Sequence, residues 1–285
     1  MRVGPLALTA PAAVGLLLFF VAPLVAFGVY SFLTGGLYEV QAPLTLENYK
    51  EVAETDSNRT LARNSLVVGL LAATFSVLIA LPMAYWLRYS AGRWRGLVLF
   101  LIVASFLASY LVRIYAWRSM LGRNGAINRG LESLGLIDEP LDFLLYNRFA
   151  VTVALVHIFL PYVVLVLYAG LAPLQPSYLE TAQDLGAGRI QRWRRVVLPL
   201  VAAPAVSAFL FVFVLSAADY VTPQLLGGTS GVMLGVQIQV AFIGTGDFAY
   251  GAALAFAMLA GFLVCYALIA LGLRLTKLDR VRFVS

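Results

Sequence analysis

The chain has 285 residues, of which 61% are hydrophobic and only 12% charged, with 20 Lys and Arg against 14 Asp and Glu. A water-soluble domain carries about 25% charged residues, so this composition, with a mean hydropathy of +0.89, excludes a soluble enzyme or binding module and requires that much of the chain face lipid. One cysteine and one histidine, Cys265 and His157, exclude an internal disulfide and any Cys/His metal cluster.

Six apolar runs are long enough to span, at about 11–33, 64–87, 97–120, 150–172, 200–222 and 249–274. Runs of about 20 residues, rising about 1.5 Å each, cross a hydrocarbon core of about 30 Å. A helix is the form in which such a run satisfies its own backbone. The expected fold class is therefore all-α, a polytopic membrane protein with six transmembrane helices in one domain over 1–285. The first run reads as a retained helix, since it exceeds a signal h-region and no small-residue cleavage site precedes Tyr30 and Phe32. The loop after it, about 34–62, opens on turn-prone Thr34-Gly35-Gly36 and carries a short helix over 46–52 after Pro43-Leu44-Thr45. Pro82 and Pro161 fall inside the second and fourth runs, as tolerated kinks or as bends shaping a path. The third loop, about 121–149, has breakers at Gly122, Gly125, Gly135 and Pro140 around a short helix over 127–134. In the fifth loop, the apolar piece 232–243 is too short to span and reads as interfacial or partly re-entrant.

Loop charge alternates without a break. Arg88, Arg93 and Arg95 mark the second loop, and Arg189, Arg192, Arg194 and Arg195 outweigh Glu180 and Asp184 in the fourth. The tail sets Arg274, Lys277, Arg280 and Arg282 against Asp279, while Glu39, Glu47, Glu51, Glu54 and Asp56 crowd the first loop. The positive-inside rule then places both termini in the cytoplasm. The sequence pI of about 9.5 is mostly this orientation signal, and arginines split among loops argue against nucleic-acid binding.

The fourth loop carries the most information: YLETAQDLGAGRIQRWRRVVLP, residues 178–199. Ser177 and Glu180 form an S-x-x-E capping box that opens a helix after Pro176, and Gly186-Ala187-Gly188 ends it. A second short helix over 189–197 follows, with Ile190, Trp193, Val196 and Val197 on one side and Arg189, Arg192 and Arg195 on the other. Pro199 marks the first turn of the fifth span. Taken singly, these residues need be no more than a cap, a helix stop and a topology signal.

Their joint spacing resembles the signature loop of ABC-importer permeases: Glu-Ala-Ala, three residues, Gly, nine residues, Ile-x-Leu-Pro. Glu180, Ala182, Gly186, Leu198 and Pro199 match it, while Thr181 and Val196 depart from it mildly. Two further segments, LVRIYAWRSMLGRNG at 111–125 and DYVTPQLLGG at 219–228, are similar to spermidine/putrescine-type permeases, specifically the first of their two membrane subunits. The resemblance implies a type I importer fold in a bacterial inner membrane and transport of a small nitrogenous solute, a polyamine-like cation in the first reading and a zwitterionic or anionic one in the alternative. It also implies two ATPase subunits docked on the signature loop, a paralogous second permease and an external solute-binding protein. Gly186 would be where the ATPase backbone approaches closely. ATP would be bound by the partners, because neither lysine, Lys50 nor Lys277, sits in a phosphate-cradling glycine loop. No cofactor and no catalytic residue are expected in the chain itself.

Two charges sit deep in the spans if those are straight. Asp219 lies about 18 residues into the fifth and Arg113 about 16 into the third, each about 25 Å from the inner end. Ionised groups there are paired, watered or snorkelling. Two readings follow, Arg113 pairing with Asp219 in an outer gate and Asp219 facing the path to attract an ammonium, helped by Tyr220 or Tyr110; they are compatible, since an incoming amine could displace Arg113. His157 reads as a packing residue rather than a proton carrier. An ion-gradient-driven carrier would show paired inverted repeats or several intramembrane carboxylates. A membrane enzyme or scaffold leaves the fourth loop unexplained.

Overall fold

The computed structural model of the chain describes residues 5–36 and 38–275, with side chains at 10–36 and 38–272. The tail charges Lys277, Asp279, Arg280 and Arg282 lie outside the described residues, as does the Arg274 side chain. Five helices are long and apolar enough to span: Ala10–Tyr30, Asp56–Tyr89, Arg148–Gly170, Arg189–Ala217 and Phe248–Gly272. A sixth crossing is a broken pair, Gly92–Leu107 and Tyr110–Ser133, bent by 96°. The contacts group into two compact units, residues 1–62 with 234–263 and residues 63–233 with 264–285.

In the first unit, α1 (Pro5–Leu16), a π turn at Leu17–Val21 and α2 (Ala22–Tyr30) run on without interruption. Phe19, Phe20 and Leu18 are more than half exposed, as suits an apolar helix whose solvent is lipid. The loop expected next is in part a β-hairpin, β1 (Leu33–Gly36) against β2 (Glu39–Leu44), which adds a small sheet to the all-α reading. Antiparallel pairing lets this segment satisfy its backbone where no helical period exists. Asn48, on α3 (Glu47–Glu54), fixes the hairpin base by donating to the Ser31 and Leu33 carbonyls at 3.1 and 2.8 Å. The apolar piece read as interfacial is α13 (Leu234–Gln239) with a π turn at Val240–Thr245, too short to span as expected. Asp247 then caps α14 (Phe248–Leu275) by accepting the Tyr250 N–H at 3.0 Å.

The second unit is built on α4 (Asp56–Tyr89) from Arg63 onward, α5 (Arg95–Leu107), α6 (Tyr110–Leu121), α7 (Ala126–Ser133) and α8 (Arg148–Gly170). It continues through α9 (Pro176–Asp184), α10 (Arg189–Arg192), α11 (Leu198–Ala217) and α12 (Val221–Leu226). Its core gathers Val68 and Ala72 of α4, Ile114 of α6, Val151, Leu155 and Ile158 of α8 and Leu226 of α12. Between lipid-solvated helices packing comes from close approach of small residues, and two glycines provide it. A Cβ on Gly69 would meet Ala217 Cβ at 2.8 Å, and one on Gly170 would meet the Pro204 ring at 2.5 Å. Neither a backbone-borne methyl nor a proline ring can swing aside. Gly170→Ala is therefore expected to cost about 1–3 kcal/mol, seen as a lower melting temperature of the purified protein. Gly130→Ala, whose Cβ meets nothing within 4 Å, is the control expected to melt unchanged.

The third span departs from expectation. It was read as one straight crossing over 97–120, yet the helix breaks at Ala108 and Ser109, both with extended ψ, 143° and 136°. No Pro or Gly sits at the break. The cause is tertiary, since Tyr110 and Arg113, just past it, are anchored to α12 and α8 respectively. Non-helical backbone at membrane depth persists only where protein buries it or a watered cavity adjoins it.

Candidate functional site

The fourth-loop residues fold much as their chemistry dictates, with two corrections. Pro176 takes the first turn of α9, so Ser177 already lies inside the helix and cannot cap it; the N-cap is Gln175, and the expected Ser177–Glu180 capping box does not form. The second short helix is not separate either. Residues 189–217 are one helix, in which α10 passes through a π turn at Trp193–Val197 into α11. The Leu198 N–H closes that turn on the Trp193 carbonyl, and Pro199, with no N–H to place, falls in the first turn of α11.

Between α9 and α10, Gly186 has φ +80°. Its N–H donates to the Gln183 carbonyl at 2.8 Å and the Ala187 N–H to that of Ala182 at 2.9 Å, the paired bonds of a Schellman stop. A Cβ on Gly186 would meet nothing within 4 Å, so within this chain the glycine is required by conformation and not by room. The corner is braced by Arg192, whose guanidinium donates to Gln183 Oε1 at 2.8 Å. Gly188 opens α10 and donates its N–H to Gln191 Oε1 at 3.2 Å. Around the corner Leu185 is 83% and Ile190 75% exposed, and Glu180 is exposed as well, its carboxylate without a partner among the described residues. Large apolar side chains at a loop corner, ringed by charge, are the makings of a protein contact.

The second cluster lies at the break in the third span. Asp219 is not inside a helix, as the straight-span count implied; α11 ends at Ala217, and the carboxylate takes the first two N–H groups of α12. Those bonds are Val221 N–H to Oδ1 at 3.2 Å and Thr222 N–H to Oδ2 at 3.1 Å. Tyr110 donates its hydroxyl to the same Oδ2 at 2.8 Å, and the buried Thr222 hydroxyl, 2.8 Å away, then donates to the Tyr110 oxygen. The expected Arg113–Asp219 pair is not made: the guanidinium of Arg113 turns to α8 and donates to the Ile158 carbonyl at 3.0 Å. The 96° bend redirects α6 just before Arg113, so a count along one straight helix does not apply to it. Tyr220 is 45% exposed and stands apart from these bonds. His157 packs edge-on against Trp117 at 5.6 Å.

Thr222 was not legible in the sequence, because a threonine near a span end is unremarked until Tyr110 arrives from residues far away in the chain. A run of rings at the C-terminal end of α4 was also missed. Tyr85 and Tyr89 are four apart, one face of a helix, but at a span end such a pair reads only as an interface anchor.

Among the described residues, five long apolar helices, a broken span and an exposed, braced loop define a multi-pass membrane protein. Residues 57–277 match the family described as binding-protein-dependent transport system inner membrane component, and the chain belongs to it. It is the membrane permease of a binding-protein-dependent ABC importer. It is 31% identical over 214 residues to the spermidine/putrescine transport system permease protein PotB of Escherichia coli K12, covering 75% of this chain and 77% of that one. The Haemophilus influenzae PotB is 32% identical over 211 residues, covering 74% and 73%. The inner membrane ABC transporter permease protein YdcU of E. coli is 30% identical over 239 residues, covering 75% of each. Among solved structures, a bacterial ABC transporter involved in the import of the acidic polysaccharide alginate superposes with a TM-score of 0.72 at 18% identity, over 96% of this chain and 94% of that one; this likeness is of fold.

Proposed function

We propose that the chain translocates a polyamine-like cation inward by alternating access, as a single permease domain with both termini inside. In this reading two ATPase subunits bind and hydrolyse ATP, a paralogous permease completes the path, and an external binding protein delivers the solute. The chain itself performs no chemistry. The alignment with PotB over three quarters of both chains carries the solute class. The corner of Glu180, Ala182 and Gly186 is the ATPase contact, supported by its exposed apolar patch, and Leu198 and Pro199 lead its movement into α11. Asp219, Tyr110 and Thr222, with Arg113 and Tyr220 nearby, form the outer gate, supported by their place at the one broken span among the described residues.

The test is ATPase activity of the complex reassembled in lipid nanodiscs with its binding protein. Putrescine or spermidine is expected to stimulate hydrolysis, and neutral sugars and anions are not. Stimulation by an anion alone would overturn the solute class, and failure to assemble with any ATPase subunit would overturn the docking role of the loop.

A further inference from the structure

The C-terminal end of α4 is held by both limbs of the fourth loop. On the entering limb, the Tyr89 hydroxyl donates to the Leu174 carbonyl at 2.7 Å and Arg88 to the Ala172 carbonyl at 3.2 Å. On the leaving limb, the Trp193 ring lies 4.8 Å from that of Tyr85, which in turn lies 4.8 Å from Tyr89. Trp193 is the first residue of the π turn, so it sits where α10 becomes α11. Toward its other end α4 meets α11 again, through Gly69 against Ala217.

We propose that Trp193, Tyr85 and Tyr89 are positioning residues that carry displacement of the loop into the second span. The proposal rests on the reading of the loop as the ATPase contact. A push on α9 reaches α10 through the Gly186 stop and the Arg192–Gln183 bond. From α10 it has two outlets. One is covalent, along the helix into α11, but the π turn is a local irregularity in its hydrogen-bond ladder. The other is the ring cluster, in which Trp193 meets Tyr85 at 44° and Tyr85 meets Tyr89 at 48°, rigid rings with few torsions that move as packed bodies and do not deform continuously. With the cluster intact, α4 and α11 are joined at two heights and swing together. Without it, the C-terminal end of α4 is left behind when the loop moves, and hydrolysis runs without full opening of the path.

The test uses the whole complex, ATPase subunits and binding protein included, reconstituted in liposomes, with radiolabelled putrescine taken up per ATP hydrolysed as the readout. Trp193→Ala and Tyr85→Ala are each expected to lower that ratio by about fivefold or more, the lower end of coupling between sites, with the ATPase subunits still bound. The double variant should be no worse than the worse single one, since both remove the same contact. Trp193→Phe and Tyr85→Phe keep a ring and should stay within about twofold of the parent. An unchanged ratio in the alanine variants, losses that multiply in the double variant, or equal losses in the phenylalanine variants would overturn the relay. If the alanine variants fail to assemble, Trp193→Leu decides, since it keeps apolar bulk and loses the ring that meets Tyr85: a lowered ratio supports the relay and a parental one overturns it. A parent chain that binds no ATPase subunit overturns the docking reading and the relay with it, whereas the other adverse results overturn the relay alone.

Discussion

Valine at position 186 is expected to reduce putrescine uptake by more than about tenfold while leaving the protein inserted and folded. The Gly186 backbone stands at φ +80°, where an L side chain costs about 1–2 kcal/mol and a β-branched one more. Leaving that conformation forfeits the stop made by the Gly186 and Ala187 N–H groups, and about 1.4 kcal/mol shifts an equilibrium tenfold. The result would be a corner that samples other angles between α9 and α10, with the exposed patch around Leu185 and Ile190 seldom presented in one piece. Because a Cβ at Gly186 meets nothing in this chain, the loss should follow conformation. Asparagine, which tolerates the left-handed region, should restore much of the uptake, with alanine between it and valine. Gly188→Ala, at φ −64° and with nothing within 4 Å of its Cβ, should behave like the parent. If asparagine is as damaging as valine, the glycine instead answers to close approach of the ATPase backbone. The measurement is uptake in reconstituted vesicles, with membrane content of each variant determined alongside.

What could be read without coordinates was whatever depends on short range. The spans followed from hydropathy because lipid imposes a length on any apolar helix, and their ends are off by only a few residues, except where polar residues extend α4 back to Asp56 and the fifth helix back to Arg189, and where the third is broken. The stop at Gly186 was legible because a C′ glycine is a local requirement. The capping box was misread because two local rules compete there, and Pro176 settles the competition by occupying the first turn. The 96° break could not be read at all, since Ala108 and Ser109 are ordinary helix residues and the force that breaks them comes from Asp219, Thr222 and Ile158, far along the chain. The same long range explains why Asp219, counted into the fifth span, stands just beyond the end of α11. Its chemistry is visible in one letter, but its partners are set by the fold.

Replacing Asp219 by asparagine decides what that carboxylate is for, and the expected result is a slowed transporter with unaltered apparent affinity. Both oxygens of Asp219 are engaged by donors of this chain, so an ammonium would have to compete with Tyr110, Val221 and Thr222 for them. An amide in its place keeps one acceptor but turns an NH2 toward the Tyr110 hydroxyl and the Thr222 N–H, groups that can only be met by an acceptor if their present bonds are kept. Hydrogen bonds to a charged group are worth about 1.5–3 kcal/mol each. Their loss should free the start of α6 from α12 and lower maximal putrescine uptake by about tenfold or more. Tyr110→Phe removes the same bond from the other side and should slow uptake in parallel. The double variant should be little worse than Asp219→Asn alone, because interacting groups fail to add. A solute-binding carboxylate predicts a different pattern: a half-saturating putrescine concentration raised by about tenfold or more in Asp219→Asn, with Tyr110→Phe leaving it in place. Kinetics of uptake across a putrescine series, with the three variants side by side, separate a clamp that times the opening of the third span from a ligand that recognises what passes through it.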